Sequence, residues 1–282
     1  MYGEALAIHR EAGDRRAEGI ARMNLATVDY DAGRLETAER NYGEAIALCR
    51  ATGDRATGAI ALSNLALIHQ STGRTGQAER AFEEALSFHR AAGNRQVEGF
   101  MVGNLATVFQ ETGRLDKAEK TSEESLAIAR EVGDRRAEGI ALGNLAGICH
   151  LTGRLVQAEQ TFLHALAIHR EVGAPRSESI ALANLAALFQ ETGRLREAEE
   201  FFQRALSLIR TVGDARMKWA MQCAHAGLLL QTGRIAEARK SWAEGAANLK
   251  KIGEVEEHRR QVETMREACA KAEVPPFDEG PA

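Results

Sequence analysis

Apolar residues recur along this chain at helical spacing, and the helices they predict recur every 40 residues. Ala21, Leu25, Val28 and Ala32 fall three or four positions apart, which predicts a first helix reaching about residue 31. Ala38, Tyr42, Ala45 and Leu48 predict a second, from about Leu35. Gly33-Arg34 separates the two and Gly53-Asp54 closes the pair. The same punctuation then returns: Asn-Leu-Ala begins at 24, 64, 104, 144 and 184, and Gly-Arg at 33, 73, 113, 153, 193 and 233. A fixed period of this length marks an array whose units touch only their neighbours and bury a core by stacking. The expected fold class is therefore all-α, an α-solenoid of stacked helical hairpins.

Local chemistry agrees with that division. Gly13, Gly53, Gly93, Gly133, Gly173 and Gly213 suit the left-handed position that ends a helix. Asp14, Asp54, Asn94, Asp134 and Asp214 follow as N-caps, and Ala174-Pro175 replaces that pair in the fifth unit. Six tandem units are expected across 14–251: 14–53, 54–93, 94–133, 134–173, 174–213 and 214–253. Residues 1–12 match the second helix of a unit, because MYGEALAIHREAGDR aligns with NYGEAIALCRATGDR at 41–55. That start reads either as a fragment of a longer chain or as a lone capping helix, and its apolar face offers a route to self-association. Residues 254–272 read as a polar capping helix and 273–282 as a disordered tail. Ala38, Ala78, Ala118, Ala158, Ala198 and Ala238 fit a helix crossing with no room for larger side chains. His9, His89 and His169 alternate with Cys49, Ala129 and Ile209, which suggests duplication of a two-unit block.

Composition narrows the function. Hydrophobic residues make up 44% of the chain and aromatics 5%, which suits closely packed Ala- and Leu-rich helices. A net charge of −4 does not favour nucleic acid. Cys49, Cys149, Cys223 and Cys269 form no C-x-x-C and read as reduced, packed thiols. No apolar run reaches membrane-spanning length and the start lacks a signal-peptide layout, so a cytoplasmic protein is expected, and the preference for Arg over Lys hints at a bacterial gene. There is no H-E-x-x-H, no zinc spacing and no phosphate loop after a strand, so neither enzyme, metal nor cofactor is expected. Trp219 and Trp242 read as packing residues, with Trp219 also able to close one end of a groove.

The unit resembles the tetratricopeptide repeat on Leu185-Ala186, Phe189, Ala198, Phe202 and Ala205, which stand at that family's offsets. The resemblance covers about 14–251 in one register, and the 40-residue period is similar to the long-helix variant of kinesin light chains, Pins-type polarity adaptors and bacterial regulatory arrays. It implies a right-handed superhelix whose first helices line a concave, peptide-binding groove. The implied role is a non-catalytic scaffold holding a peptide or protein segment. The alternative is a ligand-sensing segment of a larger bacterial signalling or transcription-regulatory protein.

Helical geometry then sorts the faces. Residues four before and three after each Asn lie within about 60° of it. The candidate groove face carries Asn24, Asn64, Asn104, Asn144 and Asn184, with Ile60, Phe100, Ile140 and Ile180 four residues before the last four. An amide both donates and accepts, so a ladder of them can pair with an extended peptide backbone. Equally, each Asn can bond the adjacent helix and lock the stacking. The resemblance favours ligand contact, since family members use this Asn on ligand. Pins-type adaptors carry Arg where Ile60, Phe100, Ile140 and Ile180 stand, so an apolar-anchored ligand is expected here rather than a highly acidic one. Gly139, Gly143 and Gly147 mark either a tight helix contact or a bare groove floor. Asp31, Glu111 and Glu191 would meet spaced Lys or Arg on a partner, or are simply solvated.

Overall fold

A computed structural model describes residues 2–252 and 255–277. Among them there are fourteen α-helices and no strand. The first is α1 (Tyr2–Glu11). Six hairpins follow: α2 (Arg15–Asp31) with α3 (Leu35–Thr52), α4 (Arg55–Ser71) with α5 (Thr75–Ala91), and α6 (Arg95–Glu111) with α7 (Leu115–Glu131). Next come α8 (Arg135–Leu151) and α9 (Leu155–Glu171), α10 (Pro175–Glu191) and α11 (Leu195–Val212), and α12 (Ala215–Gln231) and α13 (Ile235–Ile252). The last helix is α14 (Val255–Lys271). The chain divides into two compact units, Met1–Ile148 and Cys149–Ala282. Within each, a helix packs chiefly on the ones before and after it in sequence, which is the contact pattern of a solenoid.

Every hairpin turn is set by its glycine. Gly33 and Gly113 hold φ of +74° and +72°, left-handed backbone that a Cβ would strain, and their counterparts do the same. The caps form as their residue types demand: Asp14 accepts from the Ala17 amide at 3.0 Å, Asp134 from Ala137 at 2.9 Å and Asp214 from Met217 at 2.9 Å.

The arginine of each Gly-Arg pair has its own task, which the periodicity did not disclose. Arg74 grips Glu39 through two bonds of 2.6 and 2.7 Å, and Arg114 grips Glu79 through two of 2.8 Å. Arg194 pairs with Glu159 at 2.7 Å and Arg234 with Glu199. Each bond reaches back 35 residues, from the turn of one hairpin to the second helix of the hairpin before. Such half-exposed pairs stabilise little, but their fork geometry fixes the register of stacking. Arg34 differs and turns to Asp29 at 2.6 Å.

The core follows the alanine register. Ala38, Ala78, Ala118, Ala158, Ala198 and Ala238 have no exposed surface. Ala158→Leu should therefore overpack the crossing and lower stability by about 1–3 kcal/mol, read as a fall in urea midpoint with an unchanged slope.

Some expectations need correction. Val28 and Ala32 are exposed, Val28 to 42%, although they share the helical spacing of Ala21. The counterparts of Val28, namely Ile68, Val108 and Leu188, are buried at 0 to 1%. The helix read as a polar cap has an apolar face: Met265 and Cys269 of α14 are buried in a cluster with Trp219, Trp242 and Leu229. Nor is the tail loose from residue 273, because Phe277 packs into that cluster beneath the Arg239 guanidinium, 4.8 Å from its ring centre. Residues 278–282 lie outside the described residues. Trp219 is core, 1% exposed and pressed on Gly245, and does not close a groove. All four cysteines are buried, and none forms a disulfide.

Candidate functional site

The face that carries the recurrent asparagine also carries an exposed apolar row. Ile20, Ile60, Phe100 and Ile140 occupy the same position on α2, α4, α6 and α8, and are exposed to 38, 46, 52 and 43%. Their neighbours Ala21, Ala61, Met101 and Ala141 are buried, as expected for a helix with its packing stripe beside this face. Ile180, the corresponding residue of α10 in the second unit, is only partly exposed.

The five asparagines do not share one environment. Asn64 lies close to the hydroxyl of Tyr42, whose hydrogen-bond partner is Thr27 Oγ1 at 3.0 Å. Burial pushes the Tyr42 phenol above its ordinary value, so that hydroxyl stays protonated. Here the amide of α4 faces the second helix of the hairpin before, α3. The residue at the Tyr42 position in the next hairpin is Phe82, which has no hydroxyl. Asn104, one repeat on from Asn64, accordingly has its Nδ2 buried and without a hydrogen-bond partner. Asn24 and Asn144 are part-buried and Asn184 is exposed, and among the described residues their amides make no hydrogen bond within the chain. This contrast follows from one residue in the preceding second helix, a signal that was present in the sequence at 42 and 82.

The glycines also separate. A Cβ on Gly143 would meet nothing, so α8 offers bare backbone there. One on Gly147 would lie 3.4 Å from the Gln110 amide of α6, so that glycine lets a neighbouring side chain lie close. Glu111 is exposed and accepts from Gln70 Nε2 at 3.3 Å. Crowding by protein nevertheless pushes its carboxyl above the ordinary carboxylate value, with the Gln70 bond pulling the other way. In the second unit Glu191 pairs with His150 Nε2, so both acids contact the preceding hairpin rather than water alone. On α1, the side chain of Ile8 is 62% exposed.

Among the described residues no group of acids, histidines and cysteines could hold a metal ion, and no helix is long and apolar enough to cross a membrane. What the geometry defines is a repeat solenoid whose first helices present a mixed amide and apolar face.

The sequence profile of the tetratricopeptide repeat family matches residues 17–91, 100–171 and 138–211, and the chain belongs to that family. Comparison with curated proteins finds no match. Solved structures share the fold. Aspartyl phosphate phosphatase F from Bacillus subtilis is 13% identical with a TM-score of 0.75, over 95% of this chain and 70% of that one. A Rap protein complexed with competence and sporulation factor is 15% identical with a TM-score of 0.67, over 92% of this chain and 76% of that one. A signal transduction ATPase with a tetratricopeptide repeat sensor, from Pyrococcus horikoshii, is 18% identical with a TM-score of 0.67. That match covers 92% of this chain but 42% of the ATPase.

Proposed function

We propose that this protein is a non-catalytic scaffold that holds a peptide or protein segment along the first helices of its repeats. The observation that carries this reading is the pairing of Asn104 with Phe100. A buried amide nitrogen without a partner is costly, and a turn of the Asn104 side chain toward a ligand carbonyl would satisfy it. One turn away, Phe100 offers a half-exposed ring as an apolar anchor. Ile60 and Ile140 extend the anchor row, and Gly143 leaves room for ligand backbone. Asn144 repeats the amide, and Asn24 begins the series; Glu111 would favour a basic residue on the partner. Ile180, Gly147 and Glu191 contribute less, for the reasons of burial and pairing given above, whereas Asn184 is exposed and its amide is open to a ligand.

The test is selection from a displayed peptide library, followed by titration of the selected peptides. Phe100→Ala and Asn104→Ala should each weaken binding about tenfold, a loss of about 1.4 kcal/mol. Asn64→Ala should instead lower stability through Tyr42 and leave affinity nearly unchanged. Peptides that bind the Phe100→Ala, Asn104→Ala double variant as tightly as the parent chain would refute the site.

A second reading, a ligand-sensing segment of a larger regulatory protein, draws support from likeness to the ATPase's repeat sensor and to the Rap complex. It uses the same face, and a catalytic or DNA-binding domain in the same gene would favour it.

A further inference from the structure

An arginine–glutamate pair joins the second helix of one hairpin to the first helix of the next along most of the chain. Glu18, Glu98, Glu138 and Glu178 each accept from the arginine eight residues earlier, at 2.9, 3.0, 2.9 and 2.8 Å. In the third and fourth hairpins a second arginine completes a triad. Arg95 reaches Glu98 at 2.8 Å and Arg135 reaches Glu138 at 2.5 Å, and both carboxylates are buried between their two guanidinium groups.

The second hairpin keeps both arginines, Arg50 and Arg55, but position 58 is glycine. Where its siblings hold a carboxylate there is a cavity of about 430 Å³, walled by Arg50, Arg55 and Gly58 over an apolar floor of Cys49, Leu62 and Phe88. The donors are left over. Arg90 spends Nη2 on Glu124 at 2.5 Å and Nε on Glu98. Arg50 likewise spends Nη2 on Glu84, at 2.7 Å, but among the described residues no acceptor meets its Nε or the Arg55 guanidinium. Asp54, also on the wall, does not fill the gap. Its carboxylate is taken up by the Thr57 amide and hydroxyl and by Arg16, at 3.2, 3.0 and 3.1 Å.

We propose that this cavity is a binding site for a carboxylate borne on a short apolar body, the anion taking the place that Glu98 fills in the next hairpin. Two guanidinium groups suit a planar carboxylate, the volume is that of a small-ligand pocket, and the floor is apolar. A free organic acid and the C-terminal residue of a peptide present this same chemistry.

NMR titration of the whole chain with sodium hexanoate, hexanamide and inorganic phosphate tests the site. Hexanoate should bind, with hexanamide and phosphate weaker by about tenfold or more. Arg55→Ala should weaken hexanoate by about tenfold or more, and Gly58→Glu, which restores a tethered carboxylate, should do the same. Asn104→Ala, on the peptide face, should change nothing. A Cβ at position 58 would come 3.2 Å from Cβ of Cys49. If that crowding prevents Gly58→Glu from folding, Arg55→Ala decides. A leucine-ending peptide that binds more tightly than hexanoate only as its free acid assigns the anion to a chain terminus; one that does not assigns it to a free acid. No binding at about 10 mM hexanoate, equal affinity for hexanamide or phosphate, or unchanged affinity in Arg55→Ala overturns the proposal.

Discussion

Phe82→Ala should lower the stability of the N-terminal hairpins by about 3–5 kcal/mol. Phe82 is fully buried, and the residues around it explain the size of the effect. Its cluster contains Ala66, Ala78, Ala81, Ala85 and Ala118, side chains too small to close the space a phenyl ring leaves. Met101, Leu105 and Ile128 could collapse inward only by giving up their own contacts across the hairpin. The counterpart in the following hairpin supplies a control. Ser122 stands at the same repeat position, fully buried, with its hydroxyl unpartnered. Ser122→Ala should be neutral or slightly stabilising, because it removes a polar group that has no bond to lose. Urea denaturation followed by far-UV circular dichroism reads both variants. Trp219 and Trp242 lie in the sixth hairpin, so tryptophan fluorescence reports the opposite end of the array. Stability in a repeat array is a sum of local terms, so the fluorescence midpoint should move less than the dichroism midpoint in Phe82→Ala. Equal shifts by both probes would mean the array unfolds as one cooperative body.

The hairpins were legible in the sequence because their boundaries rest on local rules. A left-handed glycine and a carboxylate cap act within four residues, and both occur at the positions their spacing predicts. Relations between hairpins were legible only in part. The glutamate that Arg114 grips stands 35 residues earlier, and nothing in either segment names the other until the helices are stacked. Arg22 illustrates the limit more sharply. It occupies a repeat position held elsewhere by Leu62, Val102, Leu142 and Leu182, where a charge should be expelled. It is nonetheless 6% exposed, because Glu18 and Glu44 converge on its guanidinium. The amide ladder has the same character. The asparagines were visible as a series, but the surroundings of Asn64 and Asn104 differ because Tyr42 and Phe82, in a different helix, differ.

His89→Ile should raise stability by about 2 kcal/mol near neutral pH and flatten its fall on acidification. His89 is buried with neither ring nitrogen hydrogen-bonded, and the edge of Phe88 lies against it with ring centres 5.6 Å apart. Burial pushes its imidazole below the ordinary histidine value, so the folded chain keeps it neutral. In the unfolded chain the ring protonates near pH 6.5. The unfolded state therefore binds the extra proton as the pH falls below that value. Stability from this residue is complete above the unfolded value and is lost progressively toward the lower, folded one. His69 and His225 are depressed in the same direction, chiefly by burial, and add to the same window. Glu39, Glu79 and Glu138 are held low by Arg74, Arg114 and Arg130, and their loss belongs to more acid conditions, below the ordinary carboxyl range. The two windows separate, so thermal melts between about pH 7.5 and pH 5 isolate the histidines. Isoleucine is the residue at the same repeat position in the fifth hairpin, Ile209, where it is fully buried. It removes two unpaired nitrogens and the titration together. A variant as stable as the parent at neutral pH, with the same slope below it, would show that His89 finds partners in solution and that the neutral, unbonded ring is wrong.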